Sequence, residues 1–206
     1  MPPLQAFEVL ENLIALFAAA LPLMGSPGPV TLASAAAGAA YGRRRAAIYV
    51  VTMTAGTLTV ISMVAAGLTG LIFALPGAAP VLAVLAALYM LYLAWKIATA
   101  PPLGGLDGGA PPPALWGWYA MAVANPKAYA AFIAVFSGYP LLEDQPVVGT
   151  VLKVAVLGCL ALSVNLTWMV LGASLATLMQ SPTASRALNI GFAVLLVASV
   201  ALSFLG

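Results

Sequence analysis

Six apolar stretches, each long enough to cross a bilayer, dominate the chain and restrict what can surround it. They lie near residues 6–41, 46–74, 79–99, 115–139, 147–179 and 184–205. A hydrocarbon core of about 30 Å takes roughly 20 helical residues to span. Punctuation separates the stretches: Gly42-Arg43-Arg44-Arg45, Pro76-Gly77, a Pro/Gly-rich segment from Pro101 to Pro113, Gly138-Tyr139-Pro140 with Glu143-Asp144, and Ser181-Pro182 with Arg186. The chain has seven Lys or Arg and five Asp or Glu, whereas about a quarter of a water-soluble domain is charged. So few charges cannot wet a surface, and the expected surroundings are the lipid bilayer. Lipid offers the backbone no hydrogen bonds, so spans must be helices or strands of a closed barrel. The alternating polar pattern of a barrel strand is absent. The expected class is an all-α membrane protein with six transmembrane helices.

The same residues narrow the chemistry. A net charge of +2, with no basic patch interleaved with aromatics, argues against a nucleic-acid partner. There is no histidine, which removes the commonest metal ligand and the commonest general base; no metal, no cofactor and no catalytic residue is expected. Cys159, the one cysteine, lies in an apolar run and reads as a small buried hydrophobe. Pro2, Pro3, Glu8 and Glu11 replace the basic start of a signal peptide, so the first stretch reads as a retained span.

Charge asymmetry orients the spans. With the N-terminus outside, the inner loops hold Arg43, Arg44, Arg45, Lys96 and Arg186, and the outer side holds Glu8, Glu11, Glu143 and Asp144, with Lys153 against the trend. The positive-inside rule favours this topology, with both termini outside the cytoplasmic (inner) membrane of a bacterium, and places Trp95, Trp116 and Trp118 at the inner headgroup level. The Pro/Gly segment then divides the chain into a three-span unit at 1–100, a cytoplasmic linker at 101–114 and a second three-span unit at 115–206. An odd number of spans per unit makes any repeat between the two inverted.

The first stretch is too long for one span. Ala6 to Tyr41 is on the order of 54 Å of straight helix, and Pro22, Pro27 and Pro29 with Gly25 and Gly28 interrupt it midway. Proline removes a helical donor and clashes with the preceding turn, so the chain should unwind locally and restart near Pro29. Asn125-Pro126-Lys127 repeats the device in the fourth stretch, with Asn125 read as the N-cap and Pro126 at the first helical position. Pro27 and Pro126 stand 99 residues apart, and the half-helices after them run 15 residues to Gly42 and 14 to Pro140. Interrupted spans at matching places in two halves point to a transporter's binding site. Helix N-termini buried at mid-membrane present free N–H groups and partial positive charge, suited to a carboxylate, and Lys127 adds a full charge there. Each break by itself reads first as a structural kink, and the paired placement turns that towards a site. Lys127 reads alternatively as a snorkelling interface lysine, against which stands the rarity and cost of an intramembrane charge.

These residues resemble the LysE/RhtB family of amino-acid exporters. The resemblance rests on Pro27-Gly28-Pro29, Gly42-Arg43-Arg44, the run from Leu88 through Tyr89 and Tyr92 to Trp95, and Asn125-Pro126-Lys127. Their order and spacing match over essentially the whole chain, the Pro-Gly-Pro and Asn-Pro-Lys pair being the most specific. Val30 departs from the Asp or Asn common after Pro-Gly-Pro, and Ala86 and Ala87 from a glycine in the third span. The resemblance implies export of amino acids or related small metabolites, driven by the proton gradient.

The remaining candidates for substrate binding are polar groups inside spans. With Ser26, Pro27, Gly28, Pro29, Asn125, Pro126 and Lys127 stand Thr31, Tyr129, Asn165 and Trp168, the last two on one helical face; Asn189 is a further polar residue of this kind. Each reads alternatively as interhelical glue. Thr52, Thr54, Thr57 and Thr59 read as glue or as hydroxyls bonded to their own helix. Ser34, Gly38 and Gly42 form a small-residue stripe that serves either the bundle or a homodimer seam. A metal exporter would need His, Cys or acidic clusters in the membrane, an enzyme a nucleophile–base pair, and an assembly subunit would leave the paired breaks unexplained.

Overall fold

The computed structural model describes residues 3–67, 84, 88, 91–92, 94–95, 98–99, 114–139, 141–142, 144–178 and 181–205. Pro76-Gly77, most of the expected third span with Tyr89 and Lys96, the linker at 101–113, Pro140 and Glu143 lie outside the described residues. The helices are α1 (Pro3–Gly25), α2 (Pro29–Ala65), α3 (Leu115–Val123), α4 (Pro126–Gly138), α5 (Pro146–Leu178) and α6 (Pro182–Leu205). Among the described residues there are no strands.

Three helices, Phe7–Gly25, Pro29–Ala65 and Pro146–Ala176, are long and apolar enough to cross a bilayer, and α3 with α4, bent by 49° across their break, makes a fourth candidate span. Their outer faces are apolar: Phe7, Ile14, Trp116, Val147, Val151, Leu171 and Val194 are all exposed. Such a surface matches hydrocarbon and would be unsustainable in water. Cys159 joins it, since its thiol is exposed on α5, contrary to the buried reading; its apolar neighbours mark a lipid-facing surface as readily as a core.

α2 is two helical segments joined at a single residue. Gly42 adopts φ 71°, ψ 165°, a region essentially reserved for glycine. The expected loop at Gly42–Arg45 is therefore one corner residue, followed by exposed Arg43, Arg44 and Arg45 on the next turn. Arg43 Nη2 donates to Ser174 Oγ at 2.9 Å.

The first segment of α2 is the centre of the bundle. Every residue from Pro29 to Ala40 is buried, and α2 as a whole packs most extensively on α5. The approach is backbone to backbone: a Cβ on Gly38 would overlap the Met169 carbonyl, and one on Gly172 the Ala35 carbonyl. Small residues permit this intimacy in lipid, where dispersion rather than the hydrophobic effect holds helices together. The face of the stripe at Gly38 is thus taken by the bundle.

Two core clusters follow. One gathers α2 with Trp118, Met121, Met169 and Phe192; the other joins Leu16, Ile61, Phe132 and Leu157. Trp118 is fully buried and stacks on Tyr49 with ring centroids 5.1 Å apart. Its ring packs into the bundle rather than turning outward as an anchor would, whereas Trp116, two residues away, is 72% exposed. Two residues on a helix point about 200° apart, so only one of the pair can face outward.

Lys153 is also not a surface charge. It is 4% exposed, donates to the Phe136 carbonyl at 3.3 Å and sits 4.8 Å from the Phe136 ring centre. That carbonyl belongs to the last turn of α4, where unpaired acceptors and partial negative charge favour a cation.

Candidate functional site

The two breaks fall where proline geometry puts them. α1 ends at Gly25 with Pro22 accommodated in its last turns, Ser26 and Pro27 are non-helical, and α2 restarts at Pro29. Gly28 is the N-cap with φ −170°, ψ 178°, ordinary extended backbone. Its N–H donates to Thr31 Oγ1 at 2.9 Å, and the Thr31 hydroxyl returns its proton to the Gly28 carbonyl at 3.1 Å or the Ser26 carbonyl at 3.3 Å. Thr31 therefore clamps the first break. The second break is shorter: α3 ends at Val123 and α4 begins with Pro126 at its first position. Asn125 stands at the N-cap position, but its side chain makes no capping hydrogen bond, so the capping role expected for it is not realised.

Lys127 ties the breaks together. Its ammonium donates to Ser26 Oγ at 2.7 Å, the Ser26 carbonyl at 2.8 Å and the Pro27 carbonyl at 3.3 Å. The carbonyls after α1 have no helical donor, and the partial negative end of that helix favours a cation. Gly28 supplies the space: a Cβ there would stand 3.0 Å from both Cδ and Nζ of Lys127. A glycine between two prolines thus acts as a floor for a lysine from the other half of the chain.

Beside this contact lies a cavity of about 50 Å³, room for roughly three to five waters. Its polar wall is Gly28, Thr31, Thr57, Asn125, Lys127 and Asn165. The rest is apolar, with Leu23, Met24 and Val30 on one side and Ala128, Ala131, Phe132, Ala161 and Val164 on the other. No Asp or Glu among the described residues lines it. Among the described residues, no group of three His, Cys, Asp or Glu could hold a metal ion.

Five of the expected residues, Gly28, Thr31, Asn125, Lys127 and Asn165, thus meet at one cavity. Ser26 and Pro27 border it as acceptors of Lys127, while Pro29 and Pro126 begin the two helices. Tyr129 and Trp168 do not line it. Tyr129 packs against the second core cluster, and Trp168 Nε1 donates to the Gly25 carbonyl at 3.1 Å, making it a support of the first break. Asn165, 3% exposed, donates through Nδ2 to Thr54 Oγ1 at 3.1 Å. Asn189 is buried on α6, away from the cavity.

The threonine run behaves as read: Thr52, Thr57 and Thr59 bond back to the carbonyls of Ile48, Met53 and Ala55. Thr59 also pairs with Tyr119 at 2.9 Å. Thr57 and the alanine wall carried no signal that would mark them as cavity residues, because an alanine facing a cavity and one facing a helix look alike in sequence.

The comparisons with known proteins agree with this picture. The chain matches the family model described as LysE type translocator over residues 21–206. Cysteine/O-acetylserine efflux proteins of Escherichia coli (strain K12) and Shigella flexneri are each 30% identical to it over 180 residues, covering 84% of this chain and 87% of theirs. The protein of that name from Escherichia coli O1:K1 is 29% identical over the same length. No solved structure matches. Two proline-broken helices joined through Lys127, with a match that runs through both, place this chain in the LysE type translocator family of membrane transport proteins, which are not enzymes.

Proposed function

We propose that the protein is a secondary transporter that exports small, uncharged-side-chain amino acids across the cytoplasmic membrane, binding the substrate carboxylate between the two helix breaks. The observation that carries this reading is the Lys127 ammonium on Ser26 and Pro27, a contact between residues 101 and 100 positions apart. A carboxylate is a stronger acceptor for an ammonium than a carbonyl or a hydroxyl. Substrate therefore competes with Ser26 and Pro27 for Lys127, and the first-turn N–H groups of α2 supply further donors. Taking Lys127 off the first break releases one half of the bundle from the other, which is the move an alternating-access carrier needs.

The apolar wall of Ala128, Ala131, Ala161 and Val164 suits a short neutral side chain, and the relatives named for cysteine and O-acetylserine efflux support the same class. The reading includes six spans as two inverted three-helix repeats at 1–100 and 115–206 joined by the segment at 101–114, both termini outside, and coupling to the proton gradient.

The test is uptake into proteoliposomes of cysteine, O-acetylserine, serine and lysine, with and without an imposed pH gradient, beside Lys127→Ala and Pro27→Ala. Saturable transport of small neutral amino acids, enhanced by the gradient and lost in both correctly folded variants, is expected. Transport of lysine in preference to serine would overturn the substrate class, and unimpaired variants would overturn the site.

A further inference from the structure

Asn125 sits at the joint where α3 and α4 turn by 49° and lines the cavity together with Lys127. The residue is 6% exposed, and its side-chain oxygen is buried with no hydrogen-bond partner. An asparagine before a helix normally spends that oxygen on a first-turn N–H, and here it does not. A buried acceptor left unmade is costly, so an idle one at a cavity wall needs a donor that arrives from outside the fold.

The surroundings narrow the kind of donor. Lys127 is committed to Ser26 and Pro27. The Thr31 hydroxyl is held within the first break, Thr57 is bonded to the Met53 carbonyl, and the Asn165 amide is engaged by Thr54. Among the described residues no carboxylate lines the cavity, and the Asn125 oxygen is the buried side-chain acceptor there that no donor meets. The C-terminal end of α3 and the N-terminal end of α4 meet at this joint, so their partial charges offset one another and the Asn125 oxygen itself is what a donor would meet there.

We propose that the Asn125 side-chain oxygen accepts a hydrogen bond from the α-ammonium group of the substrate. The proposal rests on the amino-acid reading above and deepens it: Lys127 reads the carboxylate, Asn125 reads the amine, and the apolar wall holds the side chain. The oxygen is shielded in this state and becomes reachable as the α3–α4 joint flexes. The carrier then distinguishes an amino acid from the acid that lacks only its amine.

The experiment uses three probes that share a thiol: cysteine, 3-mercaptopropionate without the amine, and cysteamine without the carboxylate. Their affinities for the purified full-length protein are measured by calorimetry for wild type, Asn125→Leu and Asn125→Asp. Wild type is expected to prefer cysteine over 3-mercaptopropionate by roughly ten- to a hundred-fold, the range of a hydrogen bond to a charged group. Asn125→Leu should lower cysteine to the level of 3-mercaptopropionate and leave the latter unchanged. Asn125→Asp, which preserves shape if the leucine variant misfolds, should widen the preference for cysteine because its acceptor is charged. Equal loss of both probes in Asn125→Leu, or an unchanged ratio in Asn125→Asp, overturns the proposal and leaves the amino-acid reading intact. Failure of wild type to bind cysteine at all overturns that reading as well.

Discussion

Replacing Gly38 by alanine tests whether backbone contact between α2 and α5 holds the bundle. The added methyl would fall inside the Met169 carbonyl oxygen, with the Ala173 amide 3.1 Å away. Neither neighbour is the end of a flexible side chain, so the helices themselves must part. Non-bonded heavy atoms sit without repulsion at about 3.5 Å, which here requires a separation of more than ~1 Å, and a gap of 0.5–1 Å already forfeits a quarter to a half of each contact's attraction. The seam that would thin is the run of buried small residues from Ala33 to Ala40 against Ala173 and Ala176. Overpacking of this kind costs about 1–3 kcal/mol, and the rigid neighbours put Gly38→Ala at the upper end even after the helix-propensity gain of roughly 1 kcal/mol from removing a glycine.

Gly191→Ala is the control, because a Cβ at Gly191 meets nothing within 4 Å and the same propensity gain goes unopposed. Thermal unfolding in detergent, followed by size exclusion, should show Gly38→Ala melting on the order of 5–10 °C below wild type and Gly191→Ala at or slightly above it. Equal melting of Gly38→Ala and wild type would refute the close approach and reopen the stripe as a dimer seam.

Three further outcomes follow from single positions. Gly42→Ala forces a methyl into φ 71°, ψ 165° and should cost about 1–3 kcal/mol, read as a lower melting temperature that Gly191→Ala does not share. Gly28→Ala leaves the backbone unstrained at φ −170° but crowds Lys127 Cδ and Nζ at 3.0 Å; stability should change by less than about 1 kcal/mol, while transport falls on the order of ten-fold in proteoliposomes as the ion-to-carbonyl contacts lengthen. Cys159, exposed on an apolar face of α5, should resist a charged, water-soluble thiol reagent in intact membranes, because a charged reagent does not enter hydrocarbon, and label fully after denaturation in SDS. Rapid labelling in membranes would place that face in water.

Local covalent geometry is what made the breaks legible. Pro27 and Pro29 with Gly28 between them, and Pro126 after Asn125, restrict their own backbones whatever surrounds them, and the helices stop and restart where those residues stand. The chain's poverty in charge likewise settled its surroundings, because solvation is a property of composition. Partners were another matter. That Lys127 reaches Ser26, that Trp168 supports Gly25 and that Asn165 meets Thr54 depend on which helices become neighbours, across separations of 101, 143 and 111 residues. The inward turn of Trp118, the burial of Lys153 and the exposure of Cys159 went against the expectation from sequence for the same reason. In a membrane helix the lipid face and the packed face are both apolar, so sequence periodicity loses the contrast that marks inside from outside in water, and only the assembled bundle assigns each side chain to one or the other.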